Sequence, residues 1–205
     1  EPGKVKWFDA PEPQLVPYGA ILKPVAVTPC SSDVHTVFGG GSKKQDNLVL
    51  GHECIAEVVS VGENVCDFKT GDRVAVPAIT PDWREKSIQE GNDRHASAPF
   101  SGHQLGRTQP GVFSERFLIK DADTTLAHIP QKISEEQALM SVDVVTTGFT
   151  GAEYADIKIG DTVCVIGIGP IGLMAVAGAK LRGAARIIAV GTRPKCVQLA
   201  KYYGA

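Results

Sequence analysis

The chain has 205 residues, 43% of them apolar, and 21 Lys and Arg against 23 Asp and Glu give a formal net charge of −2. That length suits one large domain or two small ones with a sizeable core, and the lack of a basic patch or charge run argues against nucleic acid or anionic lipid as partners. The 5 cysteines (Cys30, Cys54, Cys66, Cys164, Cys196) are an odd number with no Cys-x-x-Cys pair. With no visible signal peptide, they point to a reducing, cytoplasmic setting rather than a disulfide scaffold.

From the N-terminus to about residue 150, short β-rich runs alternate with Gly and Pro punctuation. The runs are Ala20–Val27, 57–61, Arg73–Val76 and 113–119, with turn signals at Gly62-Glu63-Asn64 and Lys69-Thr70-Gly71-Asp72. This spacing predicts a compact β-barrel with few helices. Residues 82–110 are polar and aperiodic and read as a long surface loop or lobe. Ser134 is placed to N-cap a helix, with Glu135 and Glu136 in its first turn. Trp7, Trp83, Phe38 and Phe68 read as packing residues. Cys54, Cys66, Cys164 and Cys196 lie in or beside apolar runs and read as core or inert.

Residues 162–193 have a different order: a strand (Thr162–Ile166), a glycine turn (Gly167-Ile168-Gly169-Pro170-Ile171-Gly172), a helix (Pro170–Leu181) and a second strand (187–190). A dinucleotide fold needs that order. Gly167 permits the tight turn, Gly169 lets backbone approach a pyrophosphate, and Gly172 lets the helix pack on the strand; the helix N-terminus offers N–H donors to phosphates. An NAD enzyme places Asp or Glu at the end of the second strand, about 20 residues on. Here that place holds Gly191, followed by Thr192, Arg193 and Pro194. No carboxylate is there to repel a 2′-phosphate, and a hydroxyl and a guanidinium are there to bind one, which points to NADP(H). The alternative is an ordinary surface loop with a solvated arginine.

The uncharged run 162–179 reaches transmembrane length, but its glycines and proline sit where a nucleotide turn wants them, which argues against a membrane span. Pro194–Tyr203 reads as the next helix, with Gly204 as its C-terminal cap. Only two of about six parallel strands are then accounted for, so the expectation is a fragment of a longer protein.

Three candidate metal ligands lie in other segments. Cys30 sits in Pro29-Cys30-Ser31-Ser32-Asp33, His52 in Gly51-His52-Glu53, and Asp143 in Ser141-Val142-Asp143, just before Thr146-Thr147-Gly148. A thiolate, an imidazole and a carboxylate suit zinc, and three ligands leave a fourth position for chemistry. Each residue also has an ordinary reading: a small core cysteine, a hydrogen-bonded structural histidine, an aspartate capping the following helix. Ligands 22 and 91 residues apart would not be found by spacing.

Gly51-His52-Glu53, the Val58…Val61-Gly62…Val65…Phe68…Gly71-Asp72-Arg73-Val74 pattern and the glycine turn resemble the zinc-dependent medium-chain alcohol dehydrogenases. Pro77-Ala78-Ile79-Thr80-Pro81-Asp82-Trp83, Thr146-Thr147-Gly148-Phe149 and the stretch 167–183 are similar to its NADP-dependent secondary-alcohol dehydrogenases of anaerobic microbes. The likeness covers nearly the whole chain. It implies α/β plus β architecture: a GroES-like β-barrel catalytic domain over 1–145, then the start of a Rossmann NADP-binding domain over 146–205. It also implies one catalytic zinc held by Cys30, His52 and Asp143, with Glu53 a neighbouring carboxylate able to enter or leave the coordination shell. No structural zinc is expected, because residues 82–110 contain no cysteine. Ala56 departs from the family pattern, which usually has glycine there.

The same resemblance implies that Ser32 takes the alcohol proton and His35 relays it outward, although Ser32 also reads as a turn or cap serine. It implies that Thr147 bonds the nicotinamide carboxamide; otherwise Thr147 is a helical threonine bonding its own backbone. Gly167 to Gly172 and Gly191 to Arg193 would hold the cofactor. Ala78, Ile79, His103 or Leu105 would line the substrate pocket, although 100–110 departs from the family pattern. The expected activity is hydride transfer between NADP(H) and a small secondary alcohol, ketone or aldehyde, in a homotetramer. Two alternatives are a zinc-free NADPH quinone or enone reductase of the same fold and a non-catalytic NADPH-binding relative. Neither explains the Cys30, His52 and Asp143 set.

Overall fold

The computed structural model describes residues 3–39, 47–91 and 102–205. The chain divides into two compact units, Glu1–Val142 and Asp143–Ala205. The division falls inside a continuous helical stretch.

The first unit is built on an antiparallel sheet in the order β4-β1-β2-β3-β5. Its strands are β1 (Ala20–Val27), β2 (Cys54–Val61), β3 (Arg73–Val76), β4 (Phe117–Ile119) and β5 (Ala127–His128). Alternation along them puts Ala20, Leu22, Val58, Val74, Val76, Phe117 and Ile119 into one core. Full burial of a Val, Leu, Ile or Phe side chain stabilises by about 1.5–3 kcal/mol. Ala56 is fully buried in β2 opposite Val74, with an ordinary backbone, so the methyl group that replaces the family's glycine is accommodated.

The run 113–119 shortens to β4, because Phe113 N–H donates to Leu50 O and Ser114 turns the chain by donating to the Gly111 and Arg116 carbonyls. The run 57–61 lengthens to Cys54. Short helices α1 (Ser31–Val37), α2 (Lys86–Gln89) and α3 (Ala122–Thr125) decorate the sheet. α4 (Glu135–Met140) starts at Ser134, whose hydroxyl accepts Gln137 N–H while Gln137 Oε1 accepts Ser134 N–H. A π-helical turn, Ser141–Val145, leads from α4 into α5 (Thr146–Tyr154). Part of the predicted loop 82–110, residues 92–101, lies outside the described residues.

The second unit contains α5, β6 (Thr162–Ile166), α6 (Pro170–Leu181), β7 (Arg186–Val190) and α7 (Pro194–Tyr203). β6 and β7 pair in parallel, Thr162 opposite Arg186 through Ile166 opposite Val190. Val163 and Val165 pack with Val176, Ala179 and Ile187. Gly204 ends α7 in the left-handed conformation at φ 114°. No helix among the described residues is long and apolar enough to cross a membrane.

Two groups of side chains agree with expectation only in part. Cys54 is buried, and burial pushes its thiol up to about 12, while Cys196 is half-buried. Cys66 and Cys164, read as core or inert, are exposed. Strand alternation explains Cys164: its neighbours Val163 and Val165 take the packed face. Phe68 is core, but Trp7 is 94% and Phe38 67% exposed, and Trp83 is also exposed. Trp7 lies in a segment without regular secondary structure, and Phe38 closes the end of α1.

Candidate metal centre and nucleotide turn

The antiparallel register assembles the metal centre. Val27, at the end of β1, pairs with Cys54, at the start of β2, and Cys54 pairs with Val76, at the end of β3. All three chain ends therefore leave the sheet on one side. Cys30 lies just beyond β1 as N-cap of α1, and His52 and Glu53 lie just ahead of β2. Thr28 N–H donates to Glu53 O, tying these two segments together. Past β3, Ala78 N–H donates to Val142 O, and Val142 is buried with Ile55 and Ala138. Its neighbour Asp143 is delivered to the same place. One ligand atom from each of Cys30, His52, Glu53 and Asp143 lies within 4.8 Å of the others.

The backbone that carries His52 requires glycine at position 51. Gly51 has φ +92°, and a Cβ there would stand 2.5 Å from Phe113 Cδ1. His52 and Glu53 are both 2% exposed. His52 Nε2 lies 3.8 Å from Glu53 Oε1 and 3.5 Å from Ser32 Oγ. His52 Nδ1 lies 3.4 Å from Asp33 Oδ1. Asp33 also accepts Cys30 N–H at 2.9 Å and Gly51 N–H at 3.2 Å.

Burial alone would raise the Asp33 carboxyl and lower the His52 imidazolium. The mutual bond and charge, joined by the two N–H donors on Asp33 and by Cys30 on His52, outweigh it. Asp33 is held below 3.8, and His52 is pushed up to about 9. Asp143 Oδ1 accepts the Thr147 hydroxyl at 2.5 Å.

The donor chemistry fits zinc. A thiol, an imidazole and two carboxylates converge, and a carboxylate on Nδ1 leaves Nε2 for the metal, as in carboxylate–histidine–zinc arrangements. Asp33, which the sequence reading did not single out, supplies that carboxylate. Its signal was available as an acid three residues after Cys30, at the third position of a helix. Ser32 is brought to the site, whereas His35 is exposed one turn further along α1.

The predicted nucleotide turn joins β6 to α6. Gly167 has φ +90°, Gly169 is the N-cap and Pro170 is the first helical residue. A Cβ on Gly172 would stand 2.0 Å from Gly167 O, so this approach requires glycine. Gly191 follows β7 against Ile168, and Thr192 and Arg193 follow it. Arg193 N-caps α7, and its Nη2 reaches within 3.3 Å of where a Gly169 Cβ would be, so the guanidinium lies over the turn.

Residues 17–131 match the model of the alcohol dehydrogenase GroES-like domain. The chain belongs to the alcohol dehydrogenase family that carries this domain. Within that family it is 57% identical over 203 residues to the NADP-dependent isopropanol dehydrogenase of Thermoanaerobacter brockii, covering 99% of this chain and 58% of that protein. It is 48% identical over 203 residues to the enzyme of the same description from Entamoeba histolytica, covering 99% of this chain and 56% of that protein. The chain thus spans a little over half the length of the curated relatives it matches. Among solved structures, zinc dependent alcohol dehydrogenase 2 from Streptococcus pneumonia in its apo form superposes with a TM-score of 0.89. It shares 29% identity, with 100% of this chain and 58% of that one covered.

Proposed function

We propose that the protein is an NADP(H)-dependent oxidoreductase that moves a hydride between the nicotinamide and a small secondary alcohol, ketone or aldehyde at a single zinc. The convergence of Cys30, His52, Glu53 and Asp143 carries this reading. The family membership and the NADP-dependent isopropanol dehydrogenases it resembles support it. Residues 1–145 take the catalytic role and 146–205 part of the cofactor binding. Family resemblance further supports a homotetramer in the cytoplasm.

Zinc in this site supplies Lewis-acid activation of an alcohol hydroxyl or a ketone carbonyl. Cys30, His52 and Asp143 hold it, and Glu53 stands beside His52 as an exchangeable carboxylate. Asp33 holds the His52 ring with Nε2 turned inward, and Thr147 fixes one oxygen of Asp143. Ser32 Oγ accepts the proton of an alcohol hydroxyl as its own hydroxyl proton leaves toward His35. His35, one helical turn on and exposed, accepts the proton that Ser32 gives up and releases one to water. Family resemblance supports a second role for Thr147, a hydrogen bond to the nicotinamide carboxamide. The N–H groups at the start of α6 bind the pyrophosphate, while Arg193 and Thr192 bind the 2′-phosphate.

The ligand quartet speaks against a zinc-free reductase or a non-catalytic NADPH-binding protein, neither of which has use for it. The test is turnover by the zinc-replete full-length protein, with 2-propanol and NADP in one direction and acetone and NADPH in the other. Turnover that is lost on chelation and regained with zinc is expected. Metal-replete protein inert toward both substrates overturns the proposal.

A further inference from the structure

His103 lies beside the metal centre but outside the ligand quartet. Its ring centroid is 4.5 Å from that of His52, with the planes at 64°, an edge-to-face contact. We propose that His103 is a positioning residue: its ring locks the plane of the His52 imidazole, and so aims Nε2 at the metal. The proposal rests on the zinc reading above.

The geometry leaves a role of this kind open. Asp33 meets His52 at Nδ1, and Ser32 Oγ and Glu53 Oε1 stand near Nε2. Contacts at the two ring nitrogens do not by themselves stop the ring from turning about the line that joins them. A rigid body against the ring removes that freedom. The His103 ring meets His52 in this way.

The surrounding backbone makes the contact rigid. Gly111, Val112 and Phe113 N–H donate to Val49, Gly51 and Leu50 carbonyls at 2.8, 3.0 and 2.9 Å. The segment that carries His103 is thus hydrogen-bonded to the turn that carries His52. Leu105 is fully buried and Val112 nearly so, anchoring the segment in the core of the first unit. At its other end Gly102 O accepts Thr80 N–H at 2.8 Å. The His103 ring therefore has a fixed place from which to brace its neighbour.

Two substitutions separate bracing from hydrogen bonding. H103F keeps a flat ring of similar reach, and H103Q keeps a polar end without a ring. The full-length protein is loaded with Co2+, whose visible bands report ligand geometry, and zinc affinity is measured by chelator competition. H103F is expected to bind zinc within about threefold of wild type with an unchanged cobalt spectrum. H103Q is expected to bind about 10- to 100-fold more weakly, the range found for residues that orient metal ligands, with shifted cobalt bands. Wild-type affinity and spectrum in H103Q overturn the proposal, as does a loss in H103F equal to that in H103Q. If the wild-type protein binds no Co2+ or zinc, the underlying metal reading fails instead, which is a different result.

Discussion

Asp33 Oδ1 stands 3.4 Å from His52 Nδ1, and the carboxylate of Asp33 also receives the Cys30 and Gly51 N–H groups. One buried acid thus ties together the two segments that carry Cys30 and His52. The pair gives the metal-free protein a pH-dependent stability. The Asp33 pKa is depressed, so its contribution is present above 3.8 and lost as pH falls through the lower folded value. The His52 pKa is raised from 6.5 to about 9, so its contribution is fully present below 6.5 and lost as pH rises through about 9. Chelated wild-type protein should lose stability between those two values, and D33N should flatten that loss. Thermal unfolding across that range is the measurement. Parallel curves for both proteins count against the assignment.

A proton on His52 must leave before its nitrogen can bind a metal. With the imidazolium held up to about 9, zinc binding near neutral pH should release the His52 proton. Calorimetric titration in two buffers of different ionisation enthalpy counts the protons released. D33N should release fewer, because its imidazole loses the partner that holds the proton. Equal counts in both proteins contradict the pairing.

Replacing Cys30 by Ala removes the only sulfur ligand of the quartet. Zinc content should fall well below one per chain, and turnover should fall by about a hundredfold or more, since Lewis-acid activation supplies several kcal/mol to the transition state. Elemental analysis and steady-state kinetics read the two effects. Activity within about threefold of wild type places the chemistry elsewhere, and two tightly held zincs per wild-type chain contradict a single site.

Arg193→Ala should cut kcat/KM for NADP by about 10- to 100-fold, as a charge-assisted bond is worth roughly 1.5–3 kcal/mol. It should leave NAD nearly unaffected. This is a cleaner probe than placing an aspartate at Gly191, where a Cβ would stand 2.3 Å from Ile168 Cγ1 and disturb the turn itself. Equal kcat/KM for the two cofactors in wild-type protein refutes this role for the loop.

Gly172→Ala drives a methyl group to 2.0 Å from Gly167 O, a backbone atom that can move only with the turn. Overpacking of this kind costs about 1–3 kcal/mol, occasionally more. The variant should bind NADPH much more weakly while retaining zinc. Fluorescence titration of NADPH beside metal analysis separates the two, and wild-type NADPH affinity argues against a phosphate role for the turn.

The nucleotide turn was legible in the sequence because its information is local. The predicted bounds of β6, α6 and α7 agree with the structure, since a strand, a glycine turn and a helix are each specified by residues a few positions apart. Ser134 as N-cap and Gly204 as C-cap were legible for the same reason. The metal ligands were named through family likeness, because residues 22 and 91 positions apart carry no local pattern. Their meeting is decided by the antiparallel register, which brings the ends of β1 and β3 and the start of β2 to one side of the sheet. Burial of Cys54 agrees with its apolar run, but the exposure of Cys164 was beyond reach, because the face that a strand turns to the core is set by what packs against it. The Asp33 and His103 contacts with His52 belong to the tertiary structure alone. Residue type says what a side chain can bond, but only packing says which partner lies within reach.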